Sequence, residues 1–293
     1  MRSKEFFSEC VNKWRLDELT QIIDRFESDM AYYVKVNHVQ TAQNYPNMLL
    51  FTASKSILTF REVVTLCLNG YSDGALSLTR NLYEQLITLM FLEFKENKSD
   101  FPSIIENYFI DHDICRLKAL KYEAEYCFDN EEMKDKIENQ LKQIKQTVNN
   151  KCSQDYWWAG KNGFKDMVDT VMNSLEEKVA GASKTIAKLH LLYKRACVSI
   201  HASSMGNSVR LGIDNSLPII DTSPNLNGQA IPLYFAASTF RYICCKICSK
   251  LNIAYNKYDN ELIALEKYYY GKCFGDLNSI KKENDRCPIN QQQ

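Results

Sequence analysis

Turn-forming residues are scarce in this chain, with ten glycines and six prolines among 293 residues. Few turns over that length mean long elements, and long elements in globular chains are helices. A surplus charge is lacking too. Thirty-six basic residues meet thirty-six acidic ones, for a formal net charge of zero. That excludes a global basic field for nucleic acid and leaves any such contact to a local patch. Also missing are a Gly-rich phosphate loop, a nucleophile elbow and a zincin helix. The opening Met1-Arg2-Ser3-Lys4-Glu5 leads into an amphipathic stretch and not into the apolar run of a signal peptide.

Hydrophobic residues make up 45% of the chain and charged residues 25%, enough for a core of normal size. The eleven cysteines are an odd number. Their expected state is free thiol in a reducing cytoplasm, most of them acting as small core hydrophobes. Cys244-Cys245-x-x-Cys248 lies on an apolar helix without a nearby histidine, and three cysteines within one turn cannot complete a zinc site. The run Ile231 to Ile253 is apolar but carries Arg241, Lys246 and Lys250, charges that are costly in lipid. It predicts a buried helix and no membrane span.

Helical spacing of apolar residues runs through 3–43, then 48–68, then from about Ala75 to Glu96. Asn44-Tyr45-Pro46-Asn47 and Asn69 to Gly74 are the breaks between them. Asp100 and Pro102 open a fourth helix to about Tyr126. From Asn130 to Asn149 a narrow stripe of Met133, Ile137, Leu141, Ile144 and Val148 predicts a helix packed by one edge. A loop over 150–164 carries Trp157-Trp158-Ala159-Gly160. A short helix follows from Lys165 to about Leu175, then one from Ser183 to about His201. Within an irregular stretch, Ser208 to Ile213 and Leu217 to Ile220 have the alternation of a small hairpin. Pro232 opens a long helix to about Tyr255, and Asp259 caps a last one to Tyr270. The expected architecture is an all-α multi-helix bundle with a small irregular or hairpin insert. It forms one helical domain over 1–275, its core at about 45–255, with a flexible tail over 276–293.

Two constellations stand out. Arg80 and Glu84 lie four apart, hence on one face of a helix that is otherwise apolar nearly all round. They read either as a structural ion pair or as an arginine held by its glutamate and aimed at an anion. Ile186, Leu189, Tyr193, Ala196 and Ile200 form a buried face, and His201 falls where that helix is expected to end. There it either caps the last carbonyls or titrates near neutrality. Asp111-His112-Asp113 is a polar helix face or a cation site. The arm at 131–151 mixes five lysines with four acidic residues, which suits a solvated or partner-binding face better than an RNA stripe.

Arg80-x-Leu82-x-Glu84, Trp158-x-Gly160 and Tyr193 followed by His201-Ala202-Ser203 resemble, over about residues 45–250, a bacterial all-helical family known only as a domain of unknown function. The resemblance implies a helical fold and no particular activity. More loosely, Arg195 and His201, with five residues between them, resemble the Arg-x(4–6)-His signature of the HEPN superfamily, in which helical bundles act as metal-independent RNases. That resemblance implies that His201 helps activate a ribose 2′-hydroxyl and Arg195 stabilises the charged phosphate, the two facing each other across a homodimer. Ala196 stands where a polar residue often follows the motif arginine.

Two functions stay open. One is a HEPN-like metal-independent endoribonuclease of a defence or toxin system, with His201 and Arg195 catalytic and Arg80, Glu84, Tyr193 and Trp158 binding substrate or an anion. The other is a non-catalytic helical module that binds a partner protein or nucleic acid. The expected setting is cytoplasmic, with no cofactor, no metal and no membrane. Candidate partners are RNA, a partner protein and a second copy of the chain.

Overall fold

A run as apolar on every side as Ala230–Leu251 must be covered from all directions, and the rest of its surroundings follow from that demand. The computed structural model describes residues 4–39, 43–128, 130–148, 152, 155–200, 211–214, 217–220 and 228–284, with the backbone alone at 199–200, 211–214, 217–220, 256–257 and 274–284. Its helices are α1 (Lys4–Trp14), α2 (Leu16–Val36), α3 (Tyr45–Leu68), α4 (Ser72–Lys95), α5 (Phe101–Tyr126), α6 (Glu131–Thr147), α7 (Phe164–Lys178), α8 (Ser183–Ile200), α9 (Ala230–Leu251) and α10 (Asn256–Asn284). A 3-10 turn spans Trp157–Ala159, and two strands, β1 (Leu211–Asp214) and β2 (Leu217–Ile220), pair antiparallel. The protein is an all-α bundle with a hairpin insert.

The helices group into two compact units. The first holds residues 1–39, 49–86 and 185–293, the second 40–48 and 87–184. Of the four divisions, 48/49, 86/87 and 184/185 fall inside α3, α4 and the first turn of α8, where no loop marks them, and 39/40 falls between α2 and α3.

In the first unit α9 is the buried centre. Phe240 is fully buried; its ring meets Phe26 of α2 at 5.5 Å and Phe60 of α3 at 4.7 Å. Phe26 in turn meets Tyr258 of α10 edge-on at 5.8 Å. Arg241, one of three basic residues on α9, is held by Glu266 at 2.8 Å and Asp259 at 3.3 Å, both from α10. Cys10, Cys67, Cys244 and Cys248 are buried, and burial pushes the Cys67 and Cys244 thiols up. None of the ten described cysteines is in a disulfide.

The second unit packs α6 on α5 through Ile137 and Leu141, the narrow stripe read from the sequence. Asn130 caps α6, its side chain accepting from the Met133 N–H at 2.9 Å. The charges of the arm satisfy one another: Lys121 meets Glu138 at 2.5 Å and Lys136 meets Glu132 at 2.6 Å. Tyr45 and Phe101 pack edge to face at 5.2 Å.

Several elements differ from the periodicity. The single helix expected over 3–43 is two, because Arg15 adopts the left-handed conformation (φ 52°). The carbonyls freed at the end of α1 are met from α10: Tyr268 donates to the Lys13 carbonyl at 2.6 Å and Tyr269 to the Trp14 carbonyl at 2.5 Å. Asn44-Tyr45-Pro46-Asn47 is a helix start, its Asn44 side chain accepting from the Asn47 N–H at 3.0 Å and its proline in the first turn, where a missing N–H is harmless. Helix α10 continues past Tyr270 to Asn284. Residues 285–293 lie outside the described residues. Among those described, no helix is long and apolar enough to cross a membrane.

Phe240→Ala should therefore cost about 3–5 kcal/mol of unfolding free energy in urea titrations, the usual loss for a buried aromatic in a core that cannot collapse around it. A cost below about 1 kcal/mol would mean that α9 is not the packing centre.

Candidate functional site

Helix α4 presents Arg80, Tyr83 and Glu84 on one face, since positions three and four apart are neighbours on a helix. Helix α8 answers with His190 and Tyr193, also three apart. Within the first unit these five side chains form one cluster. The Arg80 Nε donates to Glu84 Oε1 at 2.7 Å, and the Tyr193 hydroxyl donates to the same oxygen at 3.2 Å. The Arg80 guanidinium carbon lies 5.8 Å from the centre of the Tyr193 ring. Tyr83 hydroxyl and His190 Nδ1 are 3.1 Å apart, and His190 stacks on Tyr193 with a 19° angle between the planes. Tyr83 is fully buried and leans on Phe235 of α9, which anchors the cluster to the core.

Exposure falls inward along this chain of contacts. The Arg80 side chain is 32% exposed and that of Glu84 16%. The hydrogen bond to the Glu84 carboxylate outweighs the opposing effect of partial burial and holds Arg80 firmly protonated. Burial, and after it the Glu84 charge, pushes the Tyr193 hydroxyl far above its ordinary range, so it stays a donor. Cys197, one turn on from Tyr193, reaches the same hydroxyl.

The sequence-predicted residues divide as follows. Arg80, Glu84 and Tyr193 come together. Arg195 is exposed; two positions beyond Tyr193 is about 200° around a helix, so it faces away from the cluster. His201 lies outside the described residues. Trp158 belongs to the second unit, buried with its ring edge-on to Phe91 at 6.0 Å and Tyr108 at 5.2 Å. Its neighbour Trp157 donates its indole N–H to Asp111 Oδ1 at 2.7 Å. Asp111 is thus engaged by an indole while His112 stays 68% exposed, and no group of three metal-ligating side chains occurs among the described residues. Tyr83 and His190 were not foreseen. His190 stands three before Tyr193 on the buried face, which was the available signal.

A family model described as "Family of unknown function (DUF5677)" matches residues 47–216, a span that includes every residue of the cluster. The chain belongs to this family. Neither a curated protein nor a solved structure matches it. In this member of DUF5677 the site has to be argued from its own geometry.

Two measurements check that geometry. Tyr193→Phe removes the hydroxyl that holds Glu84, a hydrogen bond to a charged group, and should lower the unfolding free energy by about 1–2 kcal/mol; no change would mean that the network is slack. Burial also holds the Asp111 carboxyl above the ordinary aspartate range, despite the opposing indole hydrogen bond. A carboxyl raised in the folded state contributes stability below its unfolded value and loses it as pH rises through the folded one. Asp111→Asn keeps an acceptor for Trp157 and removes the charge. It should stabilise the protein at pH 7, with the gain disappearing toward pH 3–4 in thermal melts.

Proposed function

We propose that the chain is a metal-independent endoribonuclease, HEPN-like in its chemistry, serving a defence or toxin system. Its catalytic pair is His201 and Arg195. The observation that supports this reading is Arg195: an exposed cation late in α8, without an ion pair among the described residues, six positions before a histidine. His201 takes the proton of a ribose 2′-hydroxyl. The 2′-oxygen attacks phosphorus, the bond to the 5′-oxygen breaks, and that oxygen leaves with a proton from solvent. Arg195 stabilises the charge that gathers on the phosphoryl oxygens.

Helix geometry adds a requirement. Helix α8 is regular to Ile200, and six helical positions turn through a net angle of about 240°. On one continuous helix the two side chains would diverge, so the site needs either a helix that ends before His201 or, as we propose, the His201 of a second copy.

The purified protein should cut single-stranded RNA in EDTA and leave 2′,3′-cyclic phosphate ends. His201→Ala should lower the rate by about 10²–10⁴-fold and Arg195→Ala by about 10²–10³-fold. Mixing the two inactive variants should restore about a quarter of the activity, because half the dimers are mixed and each of those carries one intact site. Absence of cleavage in every buffer, or dependence on a divalent metal, would end this reading.

A second reading, a non-catalytic module that docks a partner protein, is favoured by a different observation. A groove of about 560 Å³ lies between α2 and α3, lined by Met30, Ala31, Val34, Leu50 and Ile57. At its rim Leu58 is 51% exposed, and Phe51 on the same face of α3 is 53% exposed.

A further inference from the structure

We infer that Arg80 is a binding seat for a phosphate group, built by Glu84, Tyr193, Tyr83 and His190 and independent of Arg195 and His201. The first ground is how Arg80 is held. Glu84 engages the Nε edge of the guanidinium. The two terminal nitrogens, which form the fork that grips oxyanions in bidentate fashion, have no hydrogen-bond partner among the described residues. A third of the side chain is open to solvent, so an anion can reach it.

The second ground is what the pair does not do. In an isolated helix the favourable order places the glutamate before the cation, and here the order is reversed. A pair in that order adds little to the stability of the helix itself. Yet the carboxylate is fixed by a tyrosine hydroxyl, that tyrosine is stacked by a histidine, and the histidine is hydrogen-bonded to a buried tyrosine. So much support for one weak ion pair makes sense as preorganisation, in which the rotamer freedom of the arginine is lost on folding and not on binding.

The third ground is charge. Glu84 already neutralises Arg80, so a singly charged ligand gains little net attraction. A phosphate monoanion–dianion mixture near neutral pH, with its second ionisation near pH 6, carries charge enough to compete. The same chemistry could come from free phosphate or from the terminal phosphomonoester of an RNA strand, whose internal phosphodiesters carry only one charge each, and the test separates them.

Inorganic phosphate is titrated into the full-length protein at constant ionic strength, with chloride as the matched control, by calorimetry and by ³¹P line broadening. Saturable one-site binding is expected. Arg80→Gln should abolish it. Arg80→Lys, which keeps the charge and loses the fork, should weaken it by about tenfold or more, and this variant decides the matter if Arg80→Gln does not fold. Arg25→Gln, an exposed arginine paired with Glu261, should bind as the wild type does. Displacement of phosphate by a short RNA with a 5′-phosphate, and not by the same RNA without it, assigns the seat to a terminal phosphate; no displacement by either assigns it to free phosphate, and displacement by both overturns the charge argument. Binding unchanged in Arg80→Lys and Arg80→Gln, or none above the chloride control, overturns the inference. Because RNA cleavage is not the readout, a failed ribonuclease assay leaves this result standing, and the reverse also holds.

Discussion

The first unit depends on one constraint, a helix that is apolar all round and yet carries a charge. Helix α9 can be buried only if neighbours cover every side, and Phe240, reached by α2 and α3, is where that cover is tightest. Arg241 limits how the cover is arranged. Its side chain is 18% exposed; left unpaired at that depth it would be strongly destabilising. Glu266 and Asp259 must therefore stand opposite it, with the Tyr255 hydroxyl 3.0 Å from Asp259. Packing alone would let α10 slide along α9 by a turn. The arginine fixes the register.

The polar cluster is an outgrowth of the same core. Tyr83 has its ring against Phe235 and its hydroxyl at His190. From there polarity increases outward through Tyr193 and Glu84 to a guanidinium one-third in solvent. Such a gradient gives a rigid base and a wet tip, the arrangement that binding sites on helical scaffolds need. Membership in a family of unknown function says that the fold is shared; what the chain does has to be read from the site.

Much of this was legible in the sequence because helical periodicity is a local property. The stripe at Ile137 and Leu141, the buried face of α8 and the apolar α9 all follow from spacing alone. Arg80 and Glu84 stood out because charges in an apolar helix are rare. What was not legible is tertiary. Tyr83 and His190 are 107 positions apart, and neither helix's period says which face meets which. Arg15 has no glycine or asparagine signature for its left-handed turn; what secures that turn comes from α10. Asn44 to Asn47 has the composition of a break, and the same residues serve as a cap. Three of the four divisions between the two units lie inside α3, α4 and the first turn of α8, which read as continuous helices.

The seal on the end of α1 has a consequence for the order in which the chain assembles. Tyr269 and the Trp14 carbonyl are 255 positions apart, and closing so large a loop is slow compared with forming any helix. During synthesis α1 emerges well before the tyrosines that complete its last turn, which follow 255 positions later. Until then the last turn of α1 lacks the two hydroxyl donors that its carbonyls meet in the finished fold. Helix α1 is thus made long before its last turn is secured, and for that interval its apolar side is an exposed surface that a chaperone would find.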